Sequence, residues 1–256
     1  MTGSMDIHAQ LRERLGPGAR YDDLNAPAEE LRWARLGTAY FARKLNQLSD
    51  KQLAAQSDEG LHLRRVICNV SYQARSFAQL IEWARNGVLR PREDPFEAQA
   101  KSAELGLTLP AAALRHLFKH SEVHLNVEWR DLRGDQWNVV VCLPGEKAAA
   151  IRETARKRAR ALWLNAVDLG NGGSFADFPP DFVDALLIER STEWNQRHQF
   201  TLHASDRQTL INFGLPAWGL IVRGKAADLA RWVTGRGVHD IEANGQLPDI
   251  TPGQSL

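Results

Sequence analysis

The segment Gly170-Asn-Gly-Gly-Ser-Phe-Ala-Asp-Phe-Pro-Pro180 divides the sequence into two parts that have different patterns. Its three glycines end the helical pattern that precedes them, and a new amphipathic helix begins at its last proline. Before this segment, apolar residues recur every three to four positions over long stretches, which is typical of helices. After it, short alternating runs are typical of strands. The sequence therefore predicts an α+β protein with a domain boundary in this segment.

Four long helices are predicted on the N-terminal side of the boundary, at residues 26–48, 63–86, 110–130 and 148–167. A shorter helix is predicted at 96–106, and a strand or extended connection at 137–143. Long helices joined by modest connections favour a four-helix bundle. We therefore expect an N-terminal extension at residues 1–24, followed by a helix bundle at residues 25–172.

Residues 173–256 are predicted to form a small C-terminal α+β domain. Its helices are expected at 180–195 and 226–234, and its strands at 199–204, 208–213, 218–223 and 238–242. Because the runs are short and are separated by glycine, proline and aspartate, we expect an antiparallel sheet.

The composition excludes several classes of function. A formal net charge of +1 over 256 residues gives no electrostatic reason to expect nucleic acid or a membrane surface as a partner. The two cysteines, Cys68 and Cys142, cannot form a four-thiolate zinc site. No run is long and apolar enough to span a membrane, and no signal peptide is evident, so a cytoplasmic location is expected. Neither a Walker loop nor a dinucleotide-binding glycine motif is present.

A histidine ladder, His116, His120 and His124, has a spacing that keeps the three side chains on one stripe of a helix. Two of them could share a metal ion, and Glu128 continues the stripe. Partly buried imidazoles bound to backbone or carboxylate groups are the alternative interpretation. The basic run at residues 152–160 favours a solvated helix face, with Arg160 as the exception if it points into the bundle.

Several strings along the chain, in this order and spacing, resemble the thiol-dependent maleylpyruvate isomerases of the DinB-like superfamily. They are Thr38-Ala-Tyr-Phe-Ala-Arg-Lys-Leu45, Leu80-Ile-Glu-Trp-Ala-Arg-Asn-Gly-Val88, Ala166-Val-Asp-Leu-Gly170, Ala226-Ala-Asp-Leu-Ala-Arg-Trp-Val-Thr-Gly-Arg236 and Leu247-Pro-Asp-Ile-Thr-Pro252. The resemblance covers nearly the whole chain. It implies a DinB-like four-helix bundle with a small C-terminal α/β domain.

Members of that family isomerise the cis double bond of maleylpyruvate to give trans fumarylpyruvate, with mycothiol or glutathione as the thiol cofactor. The thiolate adds to the alkene, the resulting single bond rotates, and elimination returns the thiol. A divalent metal, usually zinc, is held by a histidine of the second helix and a Glu-xxx-His pair of the fourth. In this chain those positions fall on Asn69, Ala161 and Asn165. Because alanine has no donor atom and a neutral amide is a poor zinc ligand, the resemblance implies that the metal site is lost.

The same resemblance indicates which residues would serve a ligand. Asn69 and Asn165 would face the cavity between the domains and form hydrogen bonds there. Arg236 matches an arginine that the family is thought to use on a substrate carboxylate, and Arg160 is a further candidate for substrate binding. His62 is the candidate for general acid–base chemistry.

Three hypotheses follow from these residues. The first is a metal-independent, maleylpyruvate isomerase-like enzyme that acts on an unsaturated acid or a thiol adduct in the interdomain cavity. The second is a non-catalytic homologue that binds a small molecule in the same cavity. The third keeps a metal but moves it to His116 and His120. We expect a small carboxylate as the ligand, neither nucleic acid nor membrane as a partner, and a monomer or homodimer.

Overall fold

A computed structural model describes residues 22–194, 199–208, 210–214 and 219–250 of the chain. The described part contains eight α-helices, which we number α1 to α8 in chain order. They are Ala28–Gln47, Asp50–Ala54, Asp58–Arg85, Pro95–Gly106, Ala111–Asp131, Glu153–Asp168, Pro180–Trp194 and Ala226–Val233. Most of the N-terminal extension, together with Asn195, Trp218 and Pro252 of the predicted elements, lies outside the described residues.

Helix α1 begins and ends close to the residues that the sequence predicts, whereas α3 begins at Asp58, five residues before its predicted start at 63. Glu29 and Glu30 lie in the first turn of α1, where their charges favour the positive end of the helix dipole. Leu31, Phe41 and Leu45 of that helix are almost completely buried. Burial of such side chains, more than helix propensity, keeps a helix of this length folded.

The prediction for the start of α6 is wrong by five residues. Lys147–Ala150 forms strand β2, which pairs antiparallel with β1, Val140–Leu143. The helix itself begins only at Glu153. Alanines have high helix propensity, but the partner strand offers the same backbone groups a hydrogen-bonded ladder, and tertiary pairing overrides the local preference.

A second sheet contains β3, Phe200–Ala204, β4, Leu210–Phe213, β5, Ile221–Gly224, and β6, Ile241–Ala243. Its strand order is β4-β3-β5-β6. The predicted antiparallel arrangement is wrong for one pair, since β3 and β5 run parallel. The alternating pattern of a strand determines which side chains are buried but not the direction of its neighbour, so the sequence could not distinguish the two cases.

Two compact units are formed within the chain, the first by residues up to 31 together with 67–155 and the second by residues 32–66 together with 156–256. In the second unit, Trp163 stacks on Tyr40 and contacts Phe178 and Phe182 in an aromatic core. In the first unit, Cys68 is fully buried, as expected for a small core residue. The division of the chain at residues 172 and 173 stays a prediction.

No helix of the described residues has both the length and the apolar character needed to cross a membrane. The cytoplasmic location stays a prediction.

Candidate functional site

The C-terminal end of α6 carries a bidentate ion pair that joins two distant parts of the sequence. Arg236 Nε donates to Asp168 Oδ1 at 2.8 Å, and Nη2 donates to Oδ2 at 2.6 Å. Arg236 Nη1 donates to the backbone oxygen of Thr234 at 3.0 Å. Because both forks of the pair are planar, this contact fixes the direction of the guanidinium as well as its position.

The contacts of Arg236 leave part of its guanidinium available. Arginine has five N–H groups, and the bonds to Asp168 and Thr234 use three of them. The other two, one on Nη1 and one on Nη2, have no hydrogen-bond partner among the residues that the structure describes. Two such donors match the two oxygens of a carboxylate. The side chain is 13% exposed, so these donors lie in a mostly enclosed position.

The loop after α8 gives Arg236 its position. Gly235 and Gly237, on either side of it, have φ values of +74° and +89°, in the left-handed region that favours glycine. The Gly235 N–H donates to the Trp232 oxygen at 2.9 Å, and the Arg236 N–H donates to the Arg231 oxygen at 3.0 Å. Arg231 Nε in turn donates to the Arg236 oxygen at 3.0 Å. The backbone of Arg236 is therefore held on both sides, which makes its side chain pre-organised.

His62, in the first turns of α3, contacts the same aspartate. Its Nε2 lies 2.9 Å from the backbone oxygen of Asp168. A carbonyl oxygen only accepts hydrogen bonds, so Nε2 carries the proton and Nδ1 of the neutral ring holds the lone pair. The His62 ring is exposed. Asp168 therefore contacts both residues predicted to be catalytic, one through its backbone and one through its carboxylate.

The loop that follows α6 is tied to α1, which fixes the end of the helix where Asp168 lies. Tyr40 Oη donates to Asp177 Oδ2 at 2.6 Å and accepts from the Ser174 N–H at 3.0 Å. Lys44 Nζ donates to the Gly172 oxygen at 2.7 Å. Burial and the hydrogen bond to Asp177 raise the pKa of Tyr40 to about 12. The phenol therefore stays protonated and holds the loop across the neutral pH range.

The three positions to which the resemblance assigns the family's metal ligands offer no zinc-binding side chain in this chain. Ala161 is buried and has no donor atom. Asn165 Nδ2 donates to the Ala161 oxygen at 2.8 Å, so this nitrogen has no lone pair for a metal. Asn69, which belongs to the other compact unit, is exposed and also offers only a neutral amide. Zinc in proteins is bound by thiolate, imidazole or carboxylate groups, and none of these is present at the three positions.

Arg160 lies in an ion-pair network between α6 and α7. Its Nη1 donates to Glu189 Oε1 at 2.9 Å and to Glu193 Oε1 at 2.7 Å, and Arg190 binds the other oxygen of Glu193. Burial raises the pKa of Glu193, but the hydrogen bonds and charges of Arg160 and Arg190 outweigh this effect and lower it overall. The role of Arg160 in substrate binding stays a prediction, and the contacts that it makes here are structural ones.

The histidine ladder is exposed on α5. The rings of His116 and His120 stack on each other with centroids 5.9 Å apart. His124 Nε2 lies 3.6 Å from Oε1 of the buried Glu128. Throughout the described ranges, no group of three or more histidine, cysteine or acidic side chains is arranged to hold a metal ion.

Asp168 is the site residue that the sequence reasoning missed. The string Ala166-Val-Asp-Leu-Gly170 carries part of the family resemblance, but the resemblance assigns no role to its aspartate. A signal was available, because an acidic residue in the last turn of a helix faces the negative end of the dipole. Such a residue is stabilised by a nearby cation, and Arg236 provides it.

Comparisons with known proteins agree on one family. The family model described as "Mycothiol maleylpyruvate isomerase N-terminal domain" matches residues 34–170, more than half of the chain. A solved structure described as "Crystal structure of the mycothiol-dependent maleylpyruvate isomerase" is 27% identical with a TM-score of 0.77, and the match covers 88% of this chain and 96% of that one. A variant of that protein with one histidine replaced by alanine matches over the same shares, with 27% identity and a TM-score of 0.76. No curated protein matches the chain. The α+β fold with a DinB-like bundle is therefore confirmed, and the chain belongs to the mycothiol maleylpyruvate isomerase family.

Proposed function

We propose that this chain is a maleylpyruvate isomerase-like enzyme that works without the family's zinc. It would act on an unsaturated acid or on its adduct with a low-molecular-weight thiol, mycothiol or glutathione. The observation that carries the proposal is the guanidinium of Arg236, which Asp168 holds in place while two of its N–H groups lack a partner among the described residues. Family membership supports the reaction class and the thiol.

Arg236 would bind the substrate carboxylate. Asp168 occupies the Nε side of the guanidinium, and the bonds of Nη1 and Nη2 to the substrate would add to a charge-assisted pair that is already aligned. Because the arginine is held before the substrate arrives, little side-chain entropy is lost on binding.

His62 would accept the proton of the thiol and later return it. Its Nδ1 takes the proton from the S–H group, and the thiolate then adds to an alkene carbon conjugated with the substrate's carbonyl, forming a C–S bond and an enolate. The former double bond rotates as a single bond. The enolate then re-forms the alkene in the trans geometry, the C–S bond breaks, and the thiolate recovers its proton from the imidazolium. No oxidant or reductant is consumed.

No step of this reaction is assigned to a metal ion, since Ala161 and Asn165 do not provide suitable ligands. Asn165 keeps its Oδ1 and one N–H beyond the bond to Ala161, and would orient the ligand through them. That role is part of the proposal, and the role of Asn69 stays a prediction.

The test is the conversion of maleylpyruvate by the metal-free chain. The purified chain is dialysed against a chelator, and conversion is followed with mycothiol and, separately, with glutathione. We expect turnover that the chelator does not reduce, and a loss of turnover in Arg236→Ala. Arg207→Ala is a matched control, because Arg207 also forms an arginine–aspartate pair, with Asp184 at 2.8 Å and 3.0 Å. Turnover that vanishes with the chelator and returns with zinc would refute the metal-independent mechanism.

A non-catalytic binding protein is the second candidate function. The observation that favours it is the same set of ligand positions, where Ala161 is buried and Asn165 bonds to its own helix. In that case a carboxylate ligand raises the unfolding temperature of the chain and is recovered unchanged. The Arg236→Ala variant loses this thermal shift under either proposal, so the recovery of converted product decides between them.

A further inference from the structure

Helix α5, Ala111–Asp131, presents two histidines one turn apart on its exposed face. The ring centroids of His116 and His120 are 5.9 Å apart, and the ring planes differ by 24°. On a helix, residues four positions apart lie above each other on the same side. The two imidazoles therefore stand side by side in solvent rather than packing into the core.

The separation of the rings is close to that of two imidazoles on one metal ion. A zinc–nitrogen bond of about 2.0–2.1 Å places each ring centroid about 3.2 Å from the metal, so tetrahedral coordination puts the centroids about 5.2 Å apart. The observed 5.9 Å exceeds this by about 0.7 Å. Small side-chain rotations close such a gap without any movement of the helix backbone.

Both rings are also available for coordination. Neither His116 nor His120 has a hydrogen bond or an ion pair with any residue in the described ranges, and the two rings stack on each other. His124, one turn further along, differs because its Nε2 faces Glu128 Oε1 at 3.6 Å. Glu128 is buried and also pairs with Arg85 at 3.1 Å, so the third histidine lies beside an ion pair that the first two lack.

We propose that His116 and His120 chelate one exchangeable divalent transition-metal ion, such as zinc, copper or nickel. Imidazole is a preferred ligand of these metals, and water would complete the coordination sphere. Two protein ligands make a weaker site than the three or four of a structural or catalytic zinc centre. Arg115 and Lys119, each next to one of the histidines, add a further electrostatic cost. The ion would bridge two turns of α5 and would take no part in the chemistry of Arg236.

Zinc chloride titrated into the metal-free full chain tests this site, with the heat of binding as the readout. We expect one ion per chain with a dissociation constant in the micromolar range, and a weakening of about tenfold or more in His120→Ala and in His116→Ala. His124→Ala is the matched control, and we expect its affinity to stay within about twofold of the parent chain. The tenfold weakening is expected because loss of one of the two imidazoles leaves no chelate. The twofold limit is expected because His124 is not one of the two ligands.

Two outcomes would overturn the proposal. One is a double variant, His116→Ala with His120→Ala, that binds zinc as tightly as the parent chain, because the ion would then lie elsewhere. The other is a His124→Ala variant that is weakened as much as His120→Ala, because the ion would then lie one turn further along. Circular dichroism of each variant confirms that α5 is intact. The isomerase proposal is unaffected by either outcome, since its test uses chelated protein.

Discussion

Helix α6 takes part in arginine–carboxylate pairs at two places, and the two arginines differ in how the carboxylates hold them. At its end, Asp168 holds Arg236 through one edge of the guanidinium, and two N–H groups have no partner among the described residues. In its middle, Arg160 binds Glu189 and Glu193 of the neighbouring helix α7 through Nη1 alone, and its buried Nε has no partner among the described residues. Both arginines were candidates for substrate binding, and both are mostly enclosed, with 13% and 15% of their side chains exposed.

The difference shows that burial and pairing alone do not identify a ligand-binding arginine. One carboxylate aligned on Nε and Nη2 orients a guanidinium and leaves donors for a second carboxylate. Two carboxylates that converge on the same nitrogen neutralise the charge instead, and Arg190 extends that network. We therefore expect that changes at Arg236 affect turnover, whereas changes at Arg160 affect stability.

The largest effect is expected for Arg236→Ala. Loss of a charge-assisted, bidentate contact to the substrate should lower kcat/KM for maleylpyruvate about 100-fold, which corresponds to about 2.7 kcal/mol. Steady-state kinetics of metal-free protein measure it, with Arg207→Ala expected within about twofold of the parent. An Arg236→Ala variant that keeps its full kcat/KM would remove the distinction between the two arginines.

Arg160→Met tests the expectation that Arg160 contributes to stability rather than to turnover. It keeps an unbranched apolar stem but removes the guanidinium, which leaves Glu189 and Glu193 with less positive charge, so the free energy of unfolding should fall by about 1–3 kcal/mol. Urea denaturation measures the fall, and kcat/KM should change less than about threefold. If kcat/KM drops as far as in Arg236→Ala, Arg160 binds substrate and the network is not merely structural.

Asp168→Asn tests whether the aspartate orients Arg236. The amide has nearly the same shape but loses its charge and one acceptor, so the guanidinium is held less firmly. We expect KM for maleylpyruvate to rise about tenfold, or about 1.4 kcal/mol, because binding now has to order the arginine. Asp184→Asn, which weakens the Arg207 pair instead, should leave KM unchanged. Equal KM values for the two variants would contradict the positioning role.

Tyr40→Phe should have the smallest effect, on the loop that carries the end of α6. Loss of the bonds to Asp177 and Ser174 should lower the free energy of unfolding by about 1 kcal/mol near neutral pH. Burial, with the bond to Asp177, raises the pKa of Tyr40 to about 12 from the 10.0 of a free side chain. Between these values the unfolded chain releases a proton that the native chain retains, so this contribution is present below pH 10 and is lost as the pH rises.

The measurement for Tyr40 is a pair of denaturation curves at about pH 8 and about pH 11, for the parent chain and for Tyr40→Phe. The difference between the two proteins should shrink at the higher pH, because only the parent chain loses the phenol's contribution. A difference that grows at the higher pH would contradict the raised pKa.

Much of the fold follows from local patterns in the sequence. Apolar spacing and helix-terminating glycines place α1, α5, α7 and the end of α3 to within two residues, because each depends on contacts within one or two turns. The start of α6 was missed because the helix-favouring segment Lys147–Ala150 pairs with another strand. The parallel pairing of β3 with β5 was missed because strand direction depends on the path of the connection rather than on the strand's own residues.

The candidate site, too, could be predicted from the sequence only in part. His62 and Arg236 were found by resemblance, but Asp168, which contacts both, was not assigned a role. It lies 106 residues from the first and 68 from the second, and no short-range pattern encodes such a contact.

The sequence by itself determined most of the helical and strand segments, the family, and the absence of metal-binding side chains at residues 69, 161 and 165, because local periodicity and donor chemistry belong to the residues themselves. Only the tertiary structure decided which carboxylates hold each arginine, which histidines have no polar partner among the described residues, and which strands run parallel. Those properties depend on contacts between residues that are distant in the sequence. Packing forms these contacts, and they cannot be predicted from the spacing of residues along the chain.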